Sequence, residues 1–152
     1  MNTSFTIQRT NSEDLNFQSL VALLDKDLKI RDGEDHSFYA QFNKIDTIKN
    51  VVVLLIDNQA IACGAFKKYN DNSVEIKRMF VREEFRGRGI AMMVLKELET
   101  WAQELNFSEC ILETGIKQPE AIRLYQKAGY SKIPNYGQYD GVENSVCMKK
   151  IF

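Results

Sequence analysis

Three observations predict a mixed α/β (α+β) fold with the element order β-α-α-β-β-β-α-β-α-β-β. Apolar, strand-like runs separated by turn signals fill Val51 to Val81, and a 3.6-residue apolar period runs from Ala91 to Leu105. A buried-type strand, Cys110 to Thr114, then leads into a further helical stretch. Periodicity alone establishes no more than mixed α and β.

Taken in order, Phe5 to Arg9 alternates like a short first strand, and Asn11 is suited to cap a helix carrying Leu15, Leu20, Leu23, Leu24 and Leu28 on one side. The acidic break Arg31 to His36 leads to a second helix with Phe38, Tyr39, Phe42 and Ile45. Val51 to Ile56, a turn at Asp57-Asn58, and Ala60 to Lys67 read as a β-hairpin. Asn70-Asp71-Asn72-Ser73 is another turn, so the strand from Val74 to Val81 continues the meander. The long helix that follows repeats apolar residues at Ala91, Val94, Leu95, Leu98, Trp101, Ala102 and Leu105, as core packing requires. After the Cys110 strand comes a helix holding Tyr125, and Gly129 suits the left-handed position past its end. Tyr130 to Ile133 and Ser145 to Lys149 complete the sheet.

The 152 residues, 44% hydrophobic and without a long polar tract or linker, form one domain over 1–152 with a core large enough to fold alone. Net charge is −1 with one local basic cluster around residues 78–88, which argues against a nucleic-acid surface and for a small polyanion. No signal-like or membrane-spanning run is present, so a cytoplasmic location without membrane attachment is expected. Cys63, Cys110 and Cys147 are widely spaced among apolar or small residues, the pattern of buried free thiols and not of a disulfide framework or zinc site. With a single His there is no pair of ligands at metal spacing, and no metal is expected.

The most telling stretch is the end of the Val74 strand, where Met79-Phe80-Val81 runs on to Arg86-Gly87-Arg88-Gly89-Ile90-Ala91 at the start of the long helix. Two glycines two apart let the backbone turn sharply with no side chain above it, so N–H groups converge on an anion at a helix N-terminus. The two arginines add positive charge. The dinucleotide fingerprint does not fit, because position 92 is Met, and no Gly-Lys-Ser/Thr follows to make a P-loop. The loop matches Arg/Gln-x-x-Gly-x-Gly/Ala, and so resembles the acyl-CoA pyrophosphate loop of the GNAT superfamily of acyl-CoA-dependent N-acetyltransferases.

A second segment, Gln118-Pro119-Glu120-Ala121-Ile122-Arg123-Leu124-Tyr125-Gln126-Lys127-Ala128-Gly129-Tyr130, is similar to that superfamily's Asn-x-x-Ala-x-x-Leu/Phe-Tyr-x-x-x-Gly-Phe/Tyr. Every position matches except the first, where Gln118 keeps the amide on a longer arm. The resemblance covers nearly the whole chain and implies a GNAT-like central mixed, mostly antiparallel sheet flanked by helices. It further implies that the strands holding Met79 to Val81 and Ile111 to Thr114 splay apart, that acetyl-CoA (coenzyme A) is the cofactor, and that the pantetheine arm enters the gap beside Phe80 and Val81. The cofactor contacts it implies are Met79, Phe80, Val81, Arg86, Gly87, Arg88, Gly89, Ile90, Ala91, Gln118 and Tyr125.

Amine acetylation needs a held thioester, an amine with a free lone pair and a proton for the departing thiolate. Tyr125 is the candidate general acid, since a phenol near the sulfur can supply that proton. Glu75 is the candidate base, direct or through water. Two strand steps from Met79, it is expected on the same face, with Lys77 between them, and a surface Glu–Lys pair would explain both without chemistry. His36 is a fallback base near neutrality. The resemblance implies an acceptor site from Arg31 to Phe42 and Asn135 to Gly141, with Asp32, Glu34, His36, Tyr39, Tyr136 and Tyr139 as candidates. Carboxylates beside aromatic rings suit a cationic amine. The expected function is acetyl transfer to a primary amine of a small molecule, with a peptide amine also open. A noncatalytic acyl-CoA sensor is the alternative, and homodimers are compatible with the resemblance.

Overall fold

Both faces of the central sheet are covered, and this explains why β2 (Asn50–Ile56) is apolar at nearly every position. Val51, Val53 and Leu55 pack with α1 (Leu15–Asp32) on one side, whereas Val52 and Leu54 join the core against the later helices on the other. The computed structural model describes residues 4–33, apart from the Asp32 side chain, and 48–152. The remaining elements are β1 (Phe5–Thr10), β3 (Gln59–Lys68), β4 (Ser73–Val81), α2 (Ile90–Glu104), β5 (Glu109–Gly115), α3 (Pro119–Lys127), β6 (Ser131–Ile133) and β7 (Ser145–Ile151). The expected second helix with Phe38, Tyr39, Phe42 and Ile45 lies outside the described residues; the other elements occur in the expected order.

The sheet order is β1-β2-β3-β4-β5-β7-β6. Every neighbouring pair is antiparallel except β4–β5, which α2 connects as a crossover and which is therefore parallel. The β2–β3 turn is tight, with Asp57 and Asn58 both at positive φ. Among the described residues no helix is long and apolar enough to cross a membrane.

The start of α1 differs from the expectation. Asp14, not Asn11, is its cap: the Asp14 carboxylate accepts the Phe17 N–H at 2.9 Å, while Asn11 accepts from Glu13 and shapes the preceding turn. The buried stripe is accordingly Phe17, Leu20, Val21 and Leu24, at i, i+3, i+4 and i+7, and Leu15 points outward at 78% exposure. The end of α3 follows expectation. Gly129 sits at φ +100°, its N–H bonds Gln126 O at 3.1 Å and the Tyr130 N–H bonds Tyr125 O at 2.9 Å, a Schellman motif.

Two irregularities of β4 create the cleft. The first is a bulge: Arg78 adopts φ +58° and the β3–β4 register slips between Cys63 and Ala65, so two residues of β4 face Gly64. One extra residue reverses the alternation beyond it. Glu75 and Lys77 therefore face α1, whereas Met79 packs on the α2 side, where a Cβ on Gly64 would lie 2.5 Å from Met79 Sδ and 2.9 Å from Val94 Cγ1. The expectation that Glu75 and Met79 share a face is corrected by this bulge, and Phe80 is turned to the α1 face. The second irregularity is an early end to pairing. β4 and β5 pair only at Ser73↔Glu109, Val74↔Cys110 and Glu75↔Ile111, after which the strands separate.

Candidate active site

A cavity of about 570 Å³ occupies the gap between the parted strands. Its wall takes Leu24 and Leu28 from α1, Phe80 from β4, Glu113 from β5, Tyr125 from α3 and the loop from Arg86 to Ala91, so it reaches both faces of the sheet.

The loop is shaped by its glycines. Gly87 and Gly89 take φ +80° and +77°, values that L side chains resist, and an added Cβ at either would meet nothing within 4 Å. Gly89 is the N-cap of α2 and offers no side-chain bond to the N–H groups of the first turn. Those donors and the positive end of the helix are thus left to an anion. Arg86 is braced from below: its Nε donates to Val81 O at 2.9 Å, its guanidinium lies 5.5 Å from the Phe80 ring centre, and its Nη2 is 3.4 Å from Asp27 Oδ2 on α1. Arg88 instead stacks at 5.3 Å over Phe85, which is itself on the cavity wall.

Past Glu75, the edge of β4 has no β5 partner. Phe80 and Val81 pair with Cys63 and Ala62 of β3 on one side and border the gap on the other. Gln118 is on the wall and forms the N-cap of α3, its carbonyl accepting from Ala121 and Ile122 at 3.1 and 3.2 Å. Tyr125 is buried beside it, 5.7 Å from the Tyr130 ring in an edge-to-face contact. Burial, with the Glu113 charge adding to it, pushes the Tyr125 phenol well above the usual tyrosine range.

On the α1 face, Glu75 is engaged at both oxygens. Tyr136 donates to Oε2 at 2.6 Å, and Lys77 Nζ lies 3.6 Å from Oε1. The Glu–Lys pair expected at the surface is nearly buried, its side chains only 12% and 10% exposed. Tyr136 stacks edge-on with Tyr69 at 5.3 Å and Tyr139 at 5.9 Å. Asn135 fixes the loop that carries them, donating to Val142 O and Ser145 O at 2.9 and 3.1 Å. Burial and the Glu75 charge raise Tyr136, while burial followed by the charges of Glu113 and Glu75 raises Tyr139. Tyr139 is on the cavity wall; Tyr136 acts on it through Glu75. Of the other acceptor candidates, Glu34, His36, Tyr39 and the Asp32 side chain lie outside the described residues.

Sequence reasoning passed over Asp27 and Glu113 and took Arg31 only as the start of the acceptor region. Asp27 and Arg31 line the mouth, where Arg31 also pairs with Glu120 of α3. Glu113 had a signal available: it is the one charged residue within the apolar run Cys110 to Thr114. The cysteines pack as expected. All three are buried and free, and burial pushes the thiols of Cys63 and Cys110 up to about 12 and that of Cys147 up to about 11.

Comparison with known proteins agrees with this geometry. The family model described as Acetyltransferase (GNAT) family matches residues 17–130. The chain is 34% identical over 91 residues to an IAA acetyltransferase of Azospirillum brasilense, a match spanning 59% of this chain and 60% of that protein. It thus spans under two thirds of that relative's length. A crystal structure of a candidate acyl-CoA N-acyltransferase from Klebsiella pneumoniae superposes with a TM-score of 0.81 at 25% identity, covering 97% of each chain. The PaiA N-acetyltransferase of Thermoplasma acidophilum, solved with coenzyme A, shares the fold at a TM-score of 0.74 and 17% identity, covering 98% of this chain and 99% of that one.

Proposed function

The chain belongs to the acetyltransferase (GNAT) family, and from that premise we propose that it transfers an acetyl group from acetyl-CoA to a primary amine by direct attack in a ternary complex. The amine belongs to a small molecule, with a peptide amine as the broader case. The observation that carries this reading is the gap between β4 and β5, with the glycine loop at one end and Tyr125 beside it.

The residues present fit coenzyme A. Open space above Gly87 and Gly89, an uncapped helix start and Arg86 suit a pyrophosphate, and the unpaired edge of β4 at Phe80 and Val81 suits an amide-bearing arm. Ile90, Ala91 and Gln118 complete the wall around that path, with Met79 behind it. Acetyl-CoA brings the activated acetyl group as a thioester. Binding energy gathered at the loop, remote from the reacting carbon, holds that group in position. Tyr125 Oη gives its proton to the departing sulfur as the C–S bond breaks, and its raised pKa holds the phenol protonated through the ordinary tyrosine range. Glu75, oriented by Tyr136 and Lys77, takes through water the proton that the attacking nitrogen loses as the C–N bond forms.

The test is release of CoA thiol from acetyl-CoA across a panel of primary amines. Acceptor-dependent release supports the enzyme. Tight acetyl-CoA binding without release for any amine would replace this reading with a noncatalytic sensor.

A further inference from the structure

A buried polar cluster next to Tyr125 takes no part in the proton transfers. Glu99 lies on the buried stripe of α2 with Val94, Leu95, Leu98 and Ala102, and is only 5% exposed. A carboxylate in such a place is costly unless its oxygens are engaged. Here both are: Tyr130 Oη donates to Oε2 and Lys150 Nζ, from β7, donates to Oε1, each at 2.8 Å. Stability alone does not account for the arrangement, because a well-packed apolar side chain in place of a buried ion pair is often neutral or stabilising. What the cluster supplies is a fixed position for the Tyr130 ring.

Tyr130 is joined to Tyr125 in two ways. At the end of α3 its N–H bonds Tyr125 O at 2.9 Å, and its ring meets the Tyr125 ring edge-on, with 5.7 Å between centres and 63° between planes. Its far end is held by Glu99 at the hydroxyl, and the Lys150 ammonium lies 6.0 Å from the ring centre. Tyr125 itself is buried on the cavity wall, and among the described residues no side chain hydrogen-bonds its hydroxyl. The place of its Oη is therefore set by what packs against the ring. That place matters, since a misplacement of about 1 Å can cost about a hundredfold in rate.

We propose that Glu99 is a positioning residue for the general acid: with Lys150 it anchors the Tyr130 hydroxyl, and the Tyr130 ring in turn holds Tyr125 with its Oη aimed at the thioester sulfur. This rests on the acetyl-transfer reading and adds to it the residues that keep its acid in place.

The experiment compares the parent, Tyr130→Phe, Glu99→Leu and Glu99→Gln in release of CoA from acetyl-CoA, with the amine that the parent uses fastest. Calorimetric titration with CoA on each variant reports that the fold and the cofactor half are intact. Tyr130→Phe keeps the ring and loses only the anchored hydroxyl. It is expected to lower kcat by about tenfold to a hundredfold with an unchanged Kd for CoA. Glu99→Leu is expected to do the same, and Glu99→Gln, whose amide oxygen still accepts from Tyr130, to retain more of the activity. Combined with Tyr125→Phe, Tyr130→Phe is expected to add no further loss, because no acid is then left to position. A second measurement needs no amine. In protein carrying isotope-labelled tyrosine and saturated with CoA, the NMR signals of the Tyr125 ring, assigned by their absence in Tyr125→Phe, are expected to show slow ring flipping in the parent and faster flipping in Tyr130→Phe. Parent-like kcat in Tyr130→Phe, a loss by the same factor with and without the Tyr125 hydroxyl, or Tyr125 signals indifferent to Tyr130→Phe would each overturn the proposal. Absence of release by the parent with every amine would instead overturn the acetyl-transfer reading, and the tyrosine signals would still decide whether Tyr130 holds the Tyr125 ring.

Discussion

Replacing Gly89 with alanine separates what the glycine loop does for folding from what it does for binding. In the free protein a Cβ at this position meets nothing within 4 Å, so the methyl causes no clash. The cost is the backbone at φ +77°, ψ 10°, a left-handed conformation that disfavours an L residue by about 1–2 kcal/mol. For a chain of this size that corresponds to a fall in Tm of about 2–8 °C. Binding is affected differently, because the methyl would enter the open space at the start of α2 where the proposed reading puts the pyrophosphate. Losing one charge-assisted contact of that kind costs about 1.5–3 kcal/mol, or about tenfold to a hundredfold in Kd. Thermal denaturation reports the first quantity and calorimetric titration with acetyl-CoA at a temperature well below the transition reports the second. An alanine variant with the expected fall in Tm but the parent's affinity for acetyl-CoA would refute the assignment of this loop to the pyrophosphate.

Four further predictions test other parts of the account. Tyr125→Phe should lower turnover by about 10²- to 10⁴-fold with little change in acetyl-CoA affinity, and equal loss in both would make Tyr125 a packing residue. Because the phenol's pKa is raised in the folded protein, Tyr125 stays protonated through the ordinary tyrosine value near 10, so turnover should not lose its acid below about pH 10. The same shift contributes stability that is complete below the unfolded tyrosine value and is lost as pH rises above it; a parent pH profile falling between 7 and 9 on account of Tyr125 contradicts this. Gly64→Ala should cost about 1–3 kcal/mol in urea denaturation, since its methyl would crowd Met79, Leu98 and Val94 opposite the bulge; an unchanged midpoint would mean that the bulge is not packed as described. Finally, a thiol reagent at pH 8 should leave all three cysteines unmodified in the native protein and react with them after denaturation, because each is buried and its pKa is raised to about 11–12. Fast native labelling of any one would contradict its burial.

What the sequence reveals is what is encoded locally. The glycine loop, the Tyr125 helix and its Gly129 ending are each specified within a few neighbouring residues, and each is found where their spacing places it. The bulge at Arg78 is different, because it depends on Gly64 across the sheet: only a residue without a side chain there leaves room for Met79 to turn toward α2. Simple alternation along β4 therefore put Glu75 and Met79 on one face. The engagement of Glu75 by Tyr136 joins residues far apart in the chain through a loop whose path no local pattern dictates. Glu113 was passed over for a related reason. Within its own strand it interrupts an apolar run, and only the early end of β4–β5 pairing turns that interruption into part of a cleft. For α1, both Asn11 and Asp14 have capping chemistry, and the choice of Asp14 follows from which stripe meets β2 and β3.

The most direct test of the central claim is a calorimetric titration of the purified protein with acetyl-CoA, with 3′-dephospho-CoA, ATP and NAD as comparison ligands. Saturable one-site binding selective for acetyl-CoA is the predicted result. Absence of heat at several temperatures together with no thermal shift, or equal affinity for ATP or NAD, would contradict it, because the loop from Arg86 to Ala91 would then not be an acyl-CoA site.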